Sequence, residues 1–176
     1  MNIPSPQERL FYALWPDPAV SGALVRLQAG LRGSATRQEK LHMTLAFLGQ
    51  RPASDLPELR AILESVPASA CSLTLDTCGY FSGKRIAWAG MRETPQQLLD
   101  LRAALVERLA ARDLIPVFEH DRFSPHVTLA RKAEARDIEA AAALAQEAPI
   151  QWRASRLVLA ASSQQGYLVV ASRLLA

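Results

Sequence analysis

Residues 42–49 run His42-Met43-Thr44-Leu45-Ala46-Phe47-Leu48-Gly49, and residues 126–131 repeat the start of that pattern as His126-Val127-Thr128-Leu129-Ala130-Arg131. A short apolar run closed by a turn residue reads as a strand. In a strand, side chains two apart share a face. His42 and Thr44 therefore stand together, with Met43, Leu45 and Phe47 on the reverse, and His126 and Thr128 stand together against Val127 and Leu129. Each strand turns an apolar stripe toward a core and places one imidazole beside one hydroxyl on the other side.

The same order of elements surrounds both motifs. Ahead of the first, residues 10–15 (LFYALW) form a strand stopped by Pro16, after which Val20, Leu24, Leu27 and Leu31 recur at helical spacing. Asp17 is the expected N-cap of that helix, with Pro18 at its first position. After the motif strand, 41–49, come a helix over 52–66 and an alternating strand over 70–78. A turn at Tyr80, Phe81, Ser82 and Gly83 leads to a strand at 85–89 and an amphipathic helix at 95–111. The second motif strand, 126–130, precedes an alanine-rich helix at 133–146 and strands at 151–161 and 166–174, joined by a polar turn. Strand, helix, strand, helix, strand thus occurs twice, and His-x-Thr-Leu occupies the second strand both times. The expectation is an α+β fold made by internal duplication: one domain over 1–176 with two pseudo-symmetric lobes of about 10–83 and 84–174. Antiparallel sheets would line a central cleft, with helices outside.

Composition narrows the partners. The chain has 176 residues, 49% of them hydrophobic, enough to bury one core, and 20 basic against 17 acidic residues give a net charge of +3. That balance suits a small anionic ligand or a nucleic-acid end better than tracking along a duplex. Cys71 and Cys78 form no CxxC pair and fall on opposite faces of an alternating strand, so two free thiols and a reducing compartment are expected. No signal-like start and no sustained apolar stretch of membrane length is present, so the reading is a cytoplasmic protein without a membrane partner.

Two imidazoles and two hydroxyls on equivalent faces of related lobes would close on one ligand from opposite sides. Displacement at phosphorus needs a base for the attacking water and an acid for the departing oxygen, and histidine suits both tasks near neutrality. Thr44 and Thr128 would donate hydrogen bonds to the nonbridging oxygens. No carboxylate, thiol or third imidazole shares the short spacing a metal needs, so neither metal nor other cofactor is expected; His120 lies six residues before His126, in the loop leading to the strand. Arg131, Lys40 and Arg37 are candidates to reach phosphate, and Phe11, Trp15, Tyr80 and Phe81 are candidates to stack on a base. Both histidines are in one chain, so a monomer with no obligate protein partner suffices.

The segments HMTLAFLG (42–49) and SPHVTLAR (124–131) resemble the two signature motifs of the two-histidine phosphoesterase superfamily. Together with RLFYALWP (9–16) and CGYFSGKRIAWAG (78–90), they resemble its branch of bacterial and archaeal RNA 2',3'-cyclic phosphodiesterases, also called 2'-5' RNA ligases. The resemblance implies hydrolysis of a terminal 2',3'-cyclic phosphate to a 2'-phosphomonoester, with reversible 2'-5' joining of RNA ends. It also implies that His42 is the proton donor and His126 the proton acceptor, with RNA ends or small cyclic nucleotides as partners. Two alternatives stay open: a related esterase acting on another cyclic nucleotide or a 2'-5' oligonucleotide, and a non-catalytic RNA-end binding module. Lys132 stands where the family pattern often has proline or a small residue.

Overall fold

Alternation along the first strand, β1 (Arg9–Leu14), sorts the molecule into two sides. Leu10, Tyr12 and Leu14 enter the main core, whereas Phe11 and Ala13 pack on the reverse with Val158 and Ala160. The computed structural model describes residues 8–67, 69–115 and 123–176. Among them, β1 is followed by α1 (Pro18–Gln28), β2 (Ser34–Ala35), β3 (Met43–Gln50), α2 (Leu56–Ser65), β4 (Cys71–Leu75), β5 (Thr77–Phe81) and β6 (Ile86–Gly90). The chain continues with α3 (Gln96–Ala111), β7 (Val127–Arg131), α4 (Ile138–Glu147), β8 (Ile150–Ala154), β9 (Arg156–Ser163) and β10 (Gly166–Leu174).

The helices begin where local chemistry lets them. The Asp17 side chain accepts a hydrogen bond from the Val20 amide at 2.8 Å, and Pro18 opens α1, as the capping pattern predicts. Leu98, Leu101, Leu105 and Leu109 of α3 are buried, the face that their spacing marks out. Helix α4 starts at Ile138 rather than 133, because Ala133 is tied by its amide to the Arg85 carbonyl, just ahead of β6, and a short 3₁₀ turn, Ala135–Asp137, intervenes.

Strand order in the main sheet is β10-β9-β1-β3-β7-β6-β5, with β2 added beside β7, and β4 pairs with β8 in a separate ribbon. All pairs are antiparallel. Two expected strands therefore divide. The stretch 70–78 breaks at Asp76, whose carboxylate accepts from the Arg92 amide and Nε while its own amide donates to Gly90, so β4 and β5 enter different sheets. The stretch 151–161 breaks at Ser155, whose carbonyl accepts from the Leu175 amide. The break at Asp76 also resets the alternation, so Cys71 and Cys78 both join the main core instead of facing opposite ways. Tyr80 and Phe81 belong to β5, and the turn comes after them.

Pairing runs across the middle of the chain. Strands β9 and β10 build on β1 and β3, whereas β5 and β6 build on β7. The two halves of the main sheet meet at one residue pair among the described residues, Met43 opposite Val127. These are the central residues of the two His-x-Thr motifs, so an approximate local twofold axis passes between them. Antiparallel register then sets His42 toward Thr128 and Thr44 toward His126 on one side, with Met43 and Val127 fully buried on the other.

Candidate active site

Where the half-sheets meet, a cavity of about 550 Å³ opens on the side away from the main core. His42, Thr44, His126 and Thr128 all line it, together with Lys40, Arg37 and Arg131. The two motifs and the three basic residues singled out for phosphate thus converge on one hollow.

Each imidazole is fixed by its own strand entry. The Nδ1 of His42 lies 2.7 Å from the Lys40 carbonyl, and the Nδ1 of His126 lies 2.8 Å from the Ser124 carbonyl. A carbonyl only accepts, so each Nδ1 carries a proton and each neutral ring keeps Nε2 as a lone-pair acceptor. At His42 this atom is 3.1 Å from the Thr44 hydroxyl, which donates to it in the neutral form. The same contact two residues back in both strands is the sign of a repeated local design.

The surroundings of the two rings differ. Trp15 stacks on His42 with centroids 5.0 Å apart and planes 11° from parallel, while Phe11 lies at 5.0 Å and Tyr167 meets the ring edge-on at 5.2 Å. Among the described residues, His126 has an edge-on Phe81 at 5.0 Å and a tilted Trp88 at 6.4 Å. Burial pulls the His42 imidazole down to about 4; the hydrogen bond to Lys40 opposes this, and the charges of His126 and Arg131 add to it. His126 is lowered too, by burial first, against the hydrogen bond to Ser124 and with help from Lys84 and Arg131. Arg131 therefore acts on both rings, as its place at the end of β7 allows. In the free protein both imidazoles are neutral near pH 7.

The stacking candidates separate. Phe11 lines the cavity; Trp15 packs behind His42; and Phe81 supports His126. Tyr80 points elsewhere, donating its hydroxyl to the Ala133 carbonyl at 3.0 Å within a small cluster with Ala87 and Ala130. His120 lies outside the described residues. Phe47, expected on the core face, lines the cavity instead and is 51% exposed. The cause is an irregularity in β3: Leu45 and Ala46 are both buried, the pairing with β1 slips there, and the residues beyond change sides. Tyr167 is another aromatic that sequence reading passed over. It follows the Gly166 turn, and the Lys40 ammonium lies 5.6 Å over its ring.

Two backbone details hold the rim. The Gln28 amide nitrogen donates to the carbonyls of Thr36 and Leu129 at 2.8 and 2.9 Å, clamping the segment that carries Arg37 onto β7. At Lys132 the backbone has φ of 52°, a conformation closed to proline.

Among the described residues, no three His, Cys, Asp or Glu side chains converge as a metal site would require, and no helix is long and apolar enough to cross a membrane.

Comparison with known proteins agrees with this arrangement. The RNA 2',3'-cyclic phosphodiesterase of Escherichia coli is 32% identical over 134 residues, covering 73% of this chain and 74% of that protein. The enzyme of the same name from Thermus thermophilus is 32% identical over 135 residues, covering 70% and 68%. The crystal structure of E. coli LigT in apo form superimposes with a TM-score of 0.76 at 26% identity, covering 97% of this chain and 99% of that one. LigT complexed with 3'-AMP gives 0.77 at 27% identity, with the same coverage. The model of the 2'-5' RNA ligase superfamily matches residues 16–166, and the chain belongs to that superfamily.

Proposed function

We propose that this protein is an RNA 2',3'-cyclic phosphodiesterase that works by acid-base catalysis at His42 and His126, without a metal. The observation that carries the reading is the pair of imidazoles, each held at Nδ1 by the carbonyl two residues before it, on the walls of one cavity beside two threonines. The homologues named for this activity support it.

Water attacks the cyclic phosphorus from the His126 side, and His126 Nε2 takes its proton. The bond from phosphorus to O3' breaks, and His42, protonated in the complex, returns a proton to O3'. The phosphate stays on O2'. Thr44, Thr128 and Arg131 hold the nonbridging oxygens, where negative charge grows. An imidazolium at His42 is scarce in the free protein but is a strong acid; an anionic phosphate in the cavity favours it, as does the face of the Trp15 indole. Replacing water by the 5'-hydroxyl of a second RNA uses the two histidines in the same roles and gives a 2'-5' linkage, and the back reaction exchanges them. Phe47, with Phe11 beside it at 6.3 Å, offers the exposed ring on which the nucleobase stacks. The fold needs one copy to complete this site, and the buried, unpaired Cys71 and Cys78 fit a reducing cytoplasm.

A module that only bound RNA ends would have no use for two Nε2 atoms kept as acceptors. The deciding experiment is hydrolysis of an RNA ending in 2',3'-cyclic phosphate in excess EDTA, with the product followed by phosphorus NMR. Full activity and a 2'-phosphate are expected. A 3'-phosphate product, or loss of activity restored by a divalent cation, would refute the mechanism.

A further inference from the structure

The histidine cavity does not end at the aromatic rings. Arg9, Ser162 and Ser163 line it and also line a second hollow of about 760 Å³, whose other walls include Gln50, Gln164 and Gln165. Neighbouring hollows behind Trp15 and beside Trp88 share no lining residue with the histidine cavity. Among the described residues, the cleft thus continues past the rings and away from the point where the half-sheets meet.

Strand register shows what a ligand meets along that path. On β1, Ala13 lies opposite Thr44, Phe11 opposite Phe47 and Arg9 opposite Gln50. On the other side, Arg9 pairs with Ser162, and Ser162 with Tyr167. Alternation puts Arg9 on the same face as Phe11, one step further out. From Ala13 to Arg9 is four residues, about 13 Å of strand. The order is reacting phosphate, aromatic platform, then a guanidinium among hydroxyls and amides.

A nucleotide that carries a cyclic phosphate at its 3' end continues into RNA through its 5' oxygen, so the upstream strand must leave the cleft beside the stacked base. Arginine gives a fork matched to phosphate, and serine and glutamine side chains can satisfy the remaining oxygens and a ribose hydroxyl. Glu8 also lines this hollow, and its carboxylate disfavours a second phosphate there. We infer that the hollow walled by Arg9, Ser162, Ser163 and Gln164 is a subsite for one upstream phosphodiester, so that the preferred substrate is an oligoribonucleotide end rather than a free cyclic nucleotide. This rests on the cyclic phosphodiesterase reading above.

The test compares kcat/KM for a tetraribonucleotide ending in 2',3'-cyclic phosphate with that for a nucleoside 2',3'-cyclic monophosphate. The wild-type protein should favour the tetranucleotide. Arg9→Gln should lower that preference about tenfold, mainly through KM, and Arg9→Lys should restore part of it. Gln164→Glu, on the exposed turn, should lower it in the same direction by placing a negative charge in the path. Equal losses on both substrates, or a preference unchanged in both Arg9→Gln and Gln164→Glu, would overturn the subsite. If the wild-type protein hydrolysed neither substrate, the phosphodiesterase reading would fail instead.

Discussion

His42 and His126 occupy matching places in a doubled pattern, yet their neighbours make them unlike. A positioned proton-transfer group contributes roughly 10² to 10⁴ in rate, so His42→Ala or His126→Ala should lower kcat by about that factor, and Thr44→Ala or Thr128→Ala by about 10-fold to 100-fold. Steady-state rates on a cyclic-phosphate RNA measure this, and a His42→Ala protein with the wild-type rate would remove the pairing altogether. The pH dependence follows from the depressed imidazoles. Productive encounter needs one proton on the pair, and both rings are neutral in the free protein near pH 7 because burial disfavours their charged forms. As pH falls, kcat/KM should rise through the upper pKa of the pair and fall again near the lower, which gives a maximum on the acid side of about 6.5. The kcat profile should sit at higher pH, since a bound anion favours the imidazolium. A kcat/KM maximum above neutrality would show that the rings are not desolvated as their surroundings indicate.

Between residue and molecule, the strands decide which side chains reach the cleft. The faces of His42, Thr44, His126 and Thr128 were legible from period-two spacing alone, and so was the Asp17 cap. Phe47 was not, because strict alternation carries it to the core, and a bulge is a tertiary response to how β1 and β3 fit. The breaks at Asp76 and Ser155 escaped for a related reason: each depends on a partner remote in sequence, Arg92 in one case and Leu175 in the other. Tyr80 shows the limit of residue type as a guide, since the next residue in its strand reaches His126 and Tyr80 itself does not. The strand pair behind His126 offers a test. A Cβ at Gly79 would lie 2.1 Å from the Trp88 ring, so that ring, which packs beside Phe81 at 5.5 Å, depends on the missing side chain. Gly79→Ala should cost about 1–3 kcal/mol of stability by overpacking and displace the support of His126. Denaturant melts and kcat measure the two effects; a variant with unaltered stability would show that the indole has room to move.

For the whole molecule, duplication was readable because each motif sits at the same rank in a repeated order of elements. How the repeats interlock was not, since pairing partners are fixed by contacts across the fold. Strands β9 and β10 complete the sheet that begins with β1, and β4 shares its ribbon with β8. Neither end of the chain carries a full set of partners for its own strands. A gene severed after Gly83, in the exposed turn between β5 and β6, would yield two peptides that each lack strands held by the other. Such fragments should be poorly folded apart and regain turnover only when mixed, a complementation that a pair of self-sufficient halves would never require.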